Sequence, residues 1–127
     1  MERALERLRE VGIEIPEDVI PHITKCFHEN TPLGGESPNH IKLEVDGEIN
    51  LSILWVVGSY TDNFDSLQPK FEGMTMAEMW VAKLDSKTFE VAIIRDRSLL
   101  CEPFAAQTPQ DVILLIRRVI AGEFNDK

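Results

Sequence analysis

The sequence predicts an α+β fold, with three helices laid against one face of a four-stranded antiparallel sheet. The expected order is α-α-β-β-β-β-α, a two-layer sandwich built from two hairpins. Three observations carry this expectation. Ile49–Gly58, INLSILWVVG, is the most strand-like run in the chain. His40–Val45 and Phe89–Asp96 show period-two alternation on either side of it. The two ends of the chain repeat apolar residues at helical spacing instead.

Residues 1–11 form the first predicted helix, because Met1, Ala4, Leu5, Leu8 and Val11 recur on one stripe between Glu and Arg residues. Gly12 follows where a helix cap is expected. A second helix is predicted from Asp18 to about Glu29 or Asn30. Asp18 serves as N-cap, and Val19, Ile20, Ile23 and Phe27 gather on one side. Residues 30–39, NTPLGGESPN, read as a loop.

The first hairpin turns at Asp46-Gly47. A two-residue turn would set Leu43 opposite Asn50 and Ile41 opposite Ser52. A three-residue loop, Asp46–Glu48, instead pairs Val45 with Ile49, Leu43 with Leu51 and Ile41 with Ile53. A one-residue slip flips a whole face, so side-chain matching selects the longer loop, with Gly47 at positive φ. Ile49, Leu51, Ile53, Trp55 and Val57 then share one face. The other begins with Asn50 and Ser52 and turns apolar at Leu54 and Val56.

A polar connection, Ser59–Lys70, leads to the second predicted hairpin, Met74–Leu84 with Phe89–Asp96. Pairing Leu84 with Phe89 aligns Ala82 with Val91 and Trp80 with Ile93. It also sets Lys83 opposite Glu90 and Glu78 opposite Arg95. Thr75 and Glu78 carry a competing signal, a capping box that would start a helix at Met76. The cross-strand matches decide for the hairpin. The last helix opens with Thr108 as N-cap, Pro109 at its first position and Asp111 at its third. Val112, Ile113, Leu115, Ile116, Val119 and Ile120 fill its apolar arc. Gly122 ends it, and residues 123–127 are expected to fray.

The 127 residues, 43% hydrophobic and 28% charged, make one ordinary globular domain spanning 1–127. The net charge is −9. Residues 1–64 hold twelve acids and five bases, and residues 65–127 ten and eight. Such a chain repels phosphate backbones, so no nucleic-acid partner is expected, while a basic protein partner suits it. The opening MERALERLREVG has no apolar run of the kind a secretory signal needs. Nor does any run of apolar residues reach membrane-spanning length, so no membrane partner is expected. Cys26 and Cys101 fit no metal or redox spacing, and a cytoplasmic location with reduced thiols is expected.

Four features could carry chemistry. His22, Cys26, His28 and His40 are metal-ligand types, but zinc needs three or four of them converging. On one helix His28 would lie about 160° round from Cys26. No metal site is predicted, and Cys26 reads as a small core residue. The loop holding Tyr60, Asp62 and Asp65 could bind a hard cation or act in acid–base catalysis, yet it lacks the glycine and terminal glutamate of a calcium loop. Arg95-Asp96-Arg97 could clamp an anion, though pairing with Glu78 already accounts for Arg95. No phosphate loop, G-x-S-x-G or H-E-x-x-H is present, so no cofactor is implied.

The strongest feature is the sheet face opposite Trp55 and Trp80. It would carry Leu54, Val56, Met79, Val81, Ala92 and Ile94, a patch of the kind that marks an interface or groove. It would be left open unless Phe64, Leu67, Phe71 and Phe104 fold over it. The function expected is a small acidic cytosolic binding protein, homodimeric through this face, that engages a small apolar ligand or a protein partner. The alternative is a small enzyme using the carboxylates of the 59–70 loop.

Overall fold

A computed structural model describes residues 1–125. Helix α1 (Glu2–Glu10) is followed by a short 3-10 turn (Ile20–His22) and three strands, β1 (Ile23–Asn30), β2 (Glu36–Val45) and β3 (Ile49–Leu54). A second 3-10 turn (Pro69–Phe71) leads into the short helix α2 (Met76–Val81). Strands β4 (Phe89–Arg95), β5 (Ser98–Leu99) and β6 (Phe104–Gln107) then precede helix α3 (Pro109–Ile120). The class is α+β with an antiparallel sheet, as the alternation predicts. The sheet has six strands rather than four, in the order β1-β2-β3-β4-β5, with β6 also beside β4.

The β2–β3 hairpin has the register that side-chain matching selects. Val45 pairs with Ile49, Leu43 with Leu51 and Ile41 with Ile53. Asp46 and Gly47 both take positive φ, 52° and 70°, to close the loop. These six side chains, with Cys26, Val91 and Ile93, form the buried face of the sheet. Helices α1 and α3 lie against it, through Ala4 and Leu8 of the first and Val112, Leu115, Ile116 and Val119 of the second. Helix α3 starts as expected, with a reciprocal capping box between Thr108 and Asp111.

Two elements differ from expectation. The predicted second helix is a strand, because β1 contains a bulge. Ile23 pairs with Val45 and Lys25 with Glu44, leaving Thr24 as the extra residue. Ile23 and Cys26, three apart, therefore point to the same face, and helix-like spacing arises within a strand. The Thr24 hydroxyl fills the irregularity by donating to the Glu44 carbonyl and accepting from Gly47 N–H.

The predicted second hairpin does not form. Residues 76–81 are helical behind the Thr75–Glu78 capping box, whose two bonds measure 3.0 and 3.1 Å. Strand β4 pairs with β3 instead, placing Ile93 beside Leu51 and Val91 beside Ile53. The other edge of β4 is taken by β5 and β6, so no edge remains for residues 74–84. Arg95 consequently meets Glu48 and the carbonyls of Phe124 and Asn125 rather than Glu78. Phe124 is buried, so residues 123–125 pack rather than fray. The remainder of the predicted frayed end, Asp126 and Lys127, lies outside the described residues.

Candidate recognition surface

The segment after β3 is ordered by buried polar side chains. Trp55 is fully buried, and its indole N–H donates to the Leu84 carbonyl at 2.9 Å. The side-chain amide of Asn63, also fully buried, donates to the carbonyls of Trp55 (2.6 Å) and Asp85 (3.2 Å), and the Asn63 backbone carbonyl accepts from Gly58 N–H. Tyr60 N–H bonds to Glu90 on β4, and its carbonyl accepts from Ala106 N–H on β6. Tyr60 thus ties the start of the loop to β4 and β6, and Asn63 ties its middle to Trp55 and Asp85.

Both loop carboxylates are engaged in this tying. Asp62 accepts from Lys87 N–H (2.8 Å) and from the Thr88 hydroxyl (3.2 Å). Asp65 accepts from Leu67 N–H at 2.8 Å, a local turn bond. They face backbone donors rather than each other.

What the loop presents outward is apolar. Tyr60 and Phe64 stack with centroids 5.3 Å apart and rings 14° from parallel, yet they are 63% and 54% exposed. Leu67 is 87% exposed. Beyond it, Leu67, Phe71, Met74, Met76 and Met79 line an open groove of about 600 Å³ between the second 3-10 turn and α2. Phe71 and Met79 are its buried floor, while Met76 is exposed. Tyr60 is an expected surface residue, and Phe64, Leu67, Phe71 and Phe104 are the side chains that would close the outer sheet face if they folded over it. Only Phe71 is buried. Of the groove methionines the sequence marks only Met79 as a surface residue, because its alternation predicts a strand over Met74–Leu84.

The predicted patch is divided. Met79 and Val81 lie on α2, the first buried and the second exposed, and Trp80 lies there too, half-buried. Val56 follows β3, half-buried at the start of the loop. Leu54, Ala92 and Ile94 do share the outer sheet face, and Leu99 joins them by pairing with Ile94. Polar neighbours interrupt this strip: Asn50, Ser52 and Glu90 stand on the same face, with His40 and Lys42 of β2.

The histidines and cysteine do not converge. His22 bonds to Asp46 at 2.9 Å, and His40 to the Ser52 hydroxyl at 2.6 Å on the outer face. Cys26 sits in the core, where burial pushes its thiol up to about 12. His28 borders a separate hollow of about 350 Å³ with Arg3, Arg7 and Lys83, where Glu6, Glu10 and Glu36 balance the cations. No group of three or more His, Cys, Asp or Glu suited to hold a metal ion occurs among the described residues.

Burial, the leading cause in each case, holds His28 and His40 below their ordinary value of 6.5. The unfolded chain therefore takes up these protons first as pH falls. The two rings contribute stability that is present above about pH 6.5 and lost as pH drops toward their folded values. The urea midpoint is expected to fall between pH 7.5 and 5.5, and His40→Gln should flatten part of that fall. An unchanged slope in this variant would show that His40 is not responsible.

No helix among the described residues is long and apolar enough to cross a membrane. No protein-family model matches the chain, and comparison with curated proteins and with solved structures returns no match.

Proposed function

We propose that this chain is a non-catalytic protein-binding domain whose recognition surface is the segment 59–81. The observation that carries the reading is the exposed Tyr60–Phe64 stack, held on a loop whose backbone is already fixed by Asn63, Asp62 and Glu90. Rigid aromatic side chains on a fixed backbone lose little entropy on association, and such residues dominate binding energies at protein interfaces. Asp62 is spent on holding Lys87 and Thr88 and Asp65 on its own turn, which gives the carboxylate-enzyme alternative no geometry to build on. The acidic balance, −9 overall, suits a basic partner. A cytoplasmic location agrees with two cysteines held as free thiols.

The test is affinity capture from the source cells with the native chain and with a Tyr60→Ser/Phe64→Ser variant. Both side chains are exposed, so the variant should keep its stability to within about 0.5 kcal/mol. A partner retained by the native chain and lost by the variant supports the reading. Equal retention by both overturns it.

Self-association is a second reading, favoured by Leu54, Ile94 and Leu99, which run along the outer sheet face beside the buried Ala92. It predicts a dimer in sedimentation velocity that Ile94→Lys splits without unfolding. A monomer throughout the micromolar range would remove it.

A further inference from the structure

We infer that the groove between the second 3-10 turn and α2 is the seat for a basic amphipathic helix of a partner protein. This rests on the binding reading above and names the partner's chemistry. Three properties of the groove lead to it.

The first is its lining. Met74, Met76 and Met79 surround the hollow with Leu67 at its rim and Phe71 beneath. Thioether side chains are unbranched and adaptable, so they accept large aliphatic groups of varied shape. Their support is fixed: Pro69 opens the 3-10 turn on one side, and the Thr75–Glu78 capping box fixes α2 on the other.

The second is charge. Segment 59–81 carries Asp62, Asp65, Glu72 and Glu78 against the single base Lys70. Lys70 is itself turned to the Asp62 carbonyl and over the Phe71 ring. An occupant with lysine or arginine flanking its apolar stripe complements this surface. A second copy of this chain, at −9, does not.

The third is the backbone. N–H groups around the groove are already bonded: Phe71 to Gln68, Glu72 to Pro69, Met74 to Phe71 and Met79 to Thr75. An extended peptide would find no ladder to join, so recognition falls to side chains. A helix delivers apolar side chains at i, i+3 or i+4 and i+7 into such a groove while satisfying its own backbone.

The experiment uses a synthetic Lys/Leu peptide of about 18 residues, patterned as an amphipathic helix, and its counterpart with Glu for every Lys. Methionine-methyl NMR of the full chain reads the binding site. The methyls of Met74, Met76 and Met79 are expected to shift saturably with the Lys/Leu peptide. Met1, which borders a different hollow beside Arg3 and Phe27, should stay still as an internal reference. The peptide should gain helical circular dichroism, and the Glu peptide should not bind. Met76→Ser and Leu67→Ser, both at exposed positions, should each weaken binding about tenfold.

Equal binding of the Glu peptide, silent groove methyls, or unchanged affinity in both variants would each overturn the inference. Silent methyls alongside a captured partner that the Tyr60→Ser/Phe64→Ser variant loses would sink the groove seat and leave the binding reading standing. Equal capture by that variant would sink the binding reading itself, whatever the methyls do.

Discussion

Arg7→Ala is expected to cost about 3 kcal/mol of unfolding free energy, although the residue sits on the most charged helix of the chain. Arg7 is only 5% exposed. Its Nε donates to the Pro38 carbonyl at 2.7 Å, and its Nη2 donates to the Leu84 carbonyl at 2.8 Å and to Asn39 Oδ1 at 3.3 Å. Nη1 meets Glu10 at 3.1 Å, and the guanidinium lies 5.5 Å from the centre of the Trp55 ring. One planar fork thereby ties α1 to β2 and to the strand-like stretch after α2. Truncation would leave the Pro38 carbonyl without this donor and open a void beside Trp55. Arg7→Lys should lose most of the same stability, because one ammonium cannot reproduce a fork aimed at three places. Arg7→Met keeps the volume and removes a buried charge, so it should fall between native and Ala. Urea unfolding at constant m-value measures all three. A loss below about 1 kcal/mol for Arg7→Ala would mean that the guanidinium is a bystander.

Arg7 shows where sequence reading stops. It stands three residues after Ala4 and four before Val11, inside the buried stripe, but a helix rich in Glu and Arg reads as solvated on every charged position. The signal was positional rather than chemical. Partners thirty and more residues away, at Pro38, Asn39 and Leu84, decide that this arginine turns inward.

The features that were legible are those set by near neighbours in sequence. The Asp46–Glu48 loop and the Thr108–Asp111 capping box follow from residues within a few positions of each other, and both are present. Strand β1 is not legible in its apolar spacing, because the bulge at Thr24 mimics a helix. Its composition, with Ile, Thr, Cys, Phe, His and Asn in eight residues, was the better guide, since none of these favours a helix. The Thr75–Glu78 box is legible in the sequence, but the cross-strand matches of a 74–84 ladder outweigh it there. The competing partners are β5 and β6, which take the edge of β4 that β3 leaves open. Read as a strand, Met74–Leu84 puts Met74 and Met76 on one face and Met79 on the other, so the groove they share is not legible there.

The ladder's place is taken by a side-chain clamp. Asn39, fully buried, accepts Leu84 N–H at 2.8 Å and donates to the Ala82 carbonyl at 2.8 Å. One amide side chain thus supplies the two bonds that a neighbouring strand would make to residues 82–84. The end of α2, and with it one wall of the groove, is positioned through this contact.

Trp55→Ala is expected to cost about 3–5 kcal/mol, the largest loss of any single substitution proposed for this chain. The ring is fully buried and meets Phe89 edge-on at 5.4 Å and 83°. Trp55→Phe keeps much of the apolar body but leaves the Leu84 carbonyl without the indole N–H, and should cost about 2 kcal/mol. The two losses differ in what they do to the recognition loop. Asn63 bonds to the Trp55 backbone carbonyl, which Phe retains, so Trp55→Phe should leave the Tyr60–Phe64 stack in place. Trp55→Ala opens a void directly under that anchor, so the loop should gain amide exchange before the sheet does. Combining Arg7→Met with Trp55→Phe should give less than the sum of the single losses, by about 0.5–2 kcal/mol, because each partner already loses their shared contact. Strict additivity in that cycle would show that the guanidinium and the indole are neighbours without being coupled. A Trp55→Phe chain whose loop exchanges as fast as that of Trp55→Ala would place the loop's anchor in the indole ring rather than in the backbone that Asn63 holds.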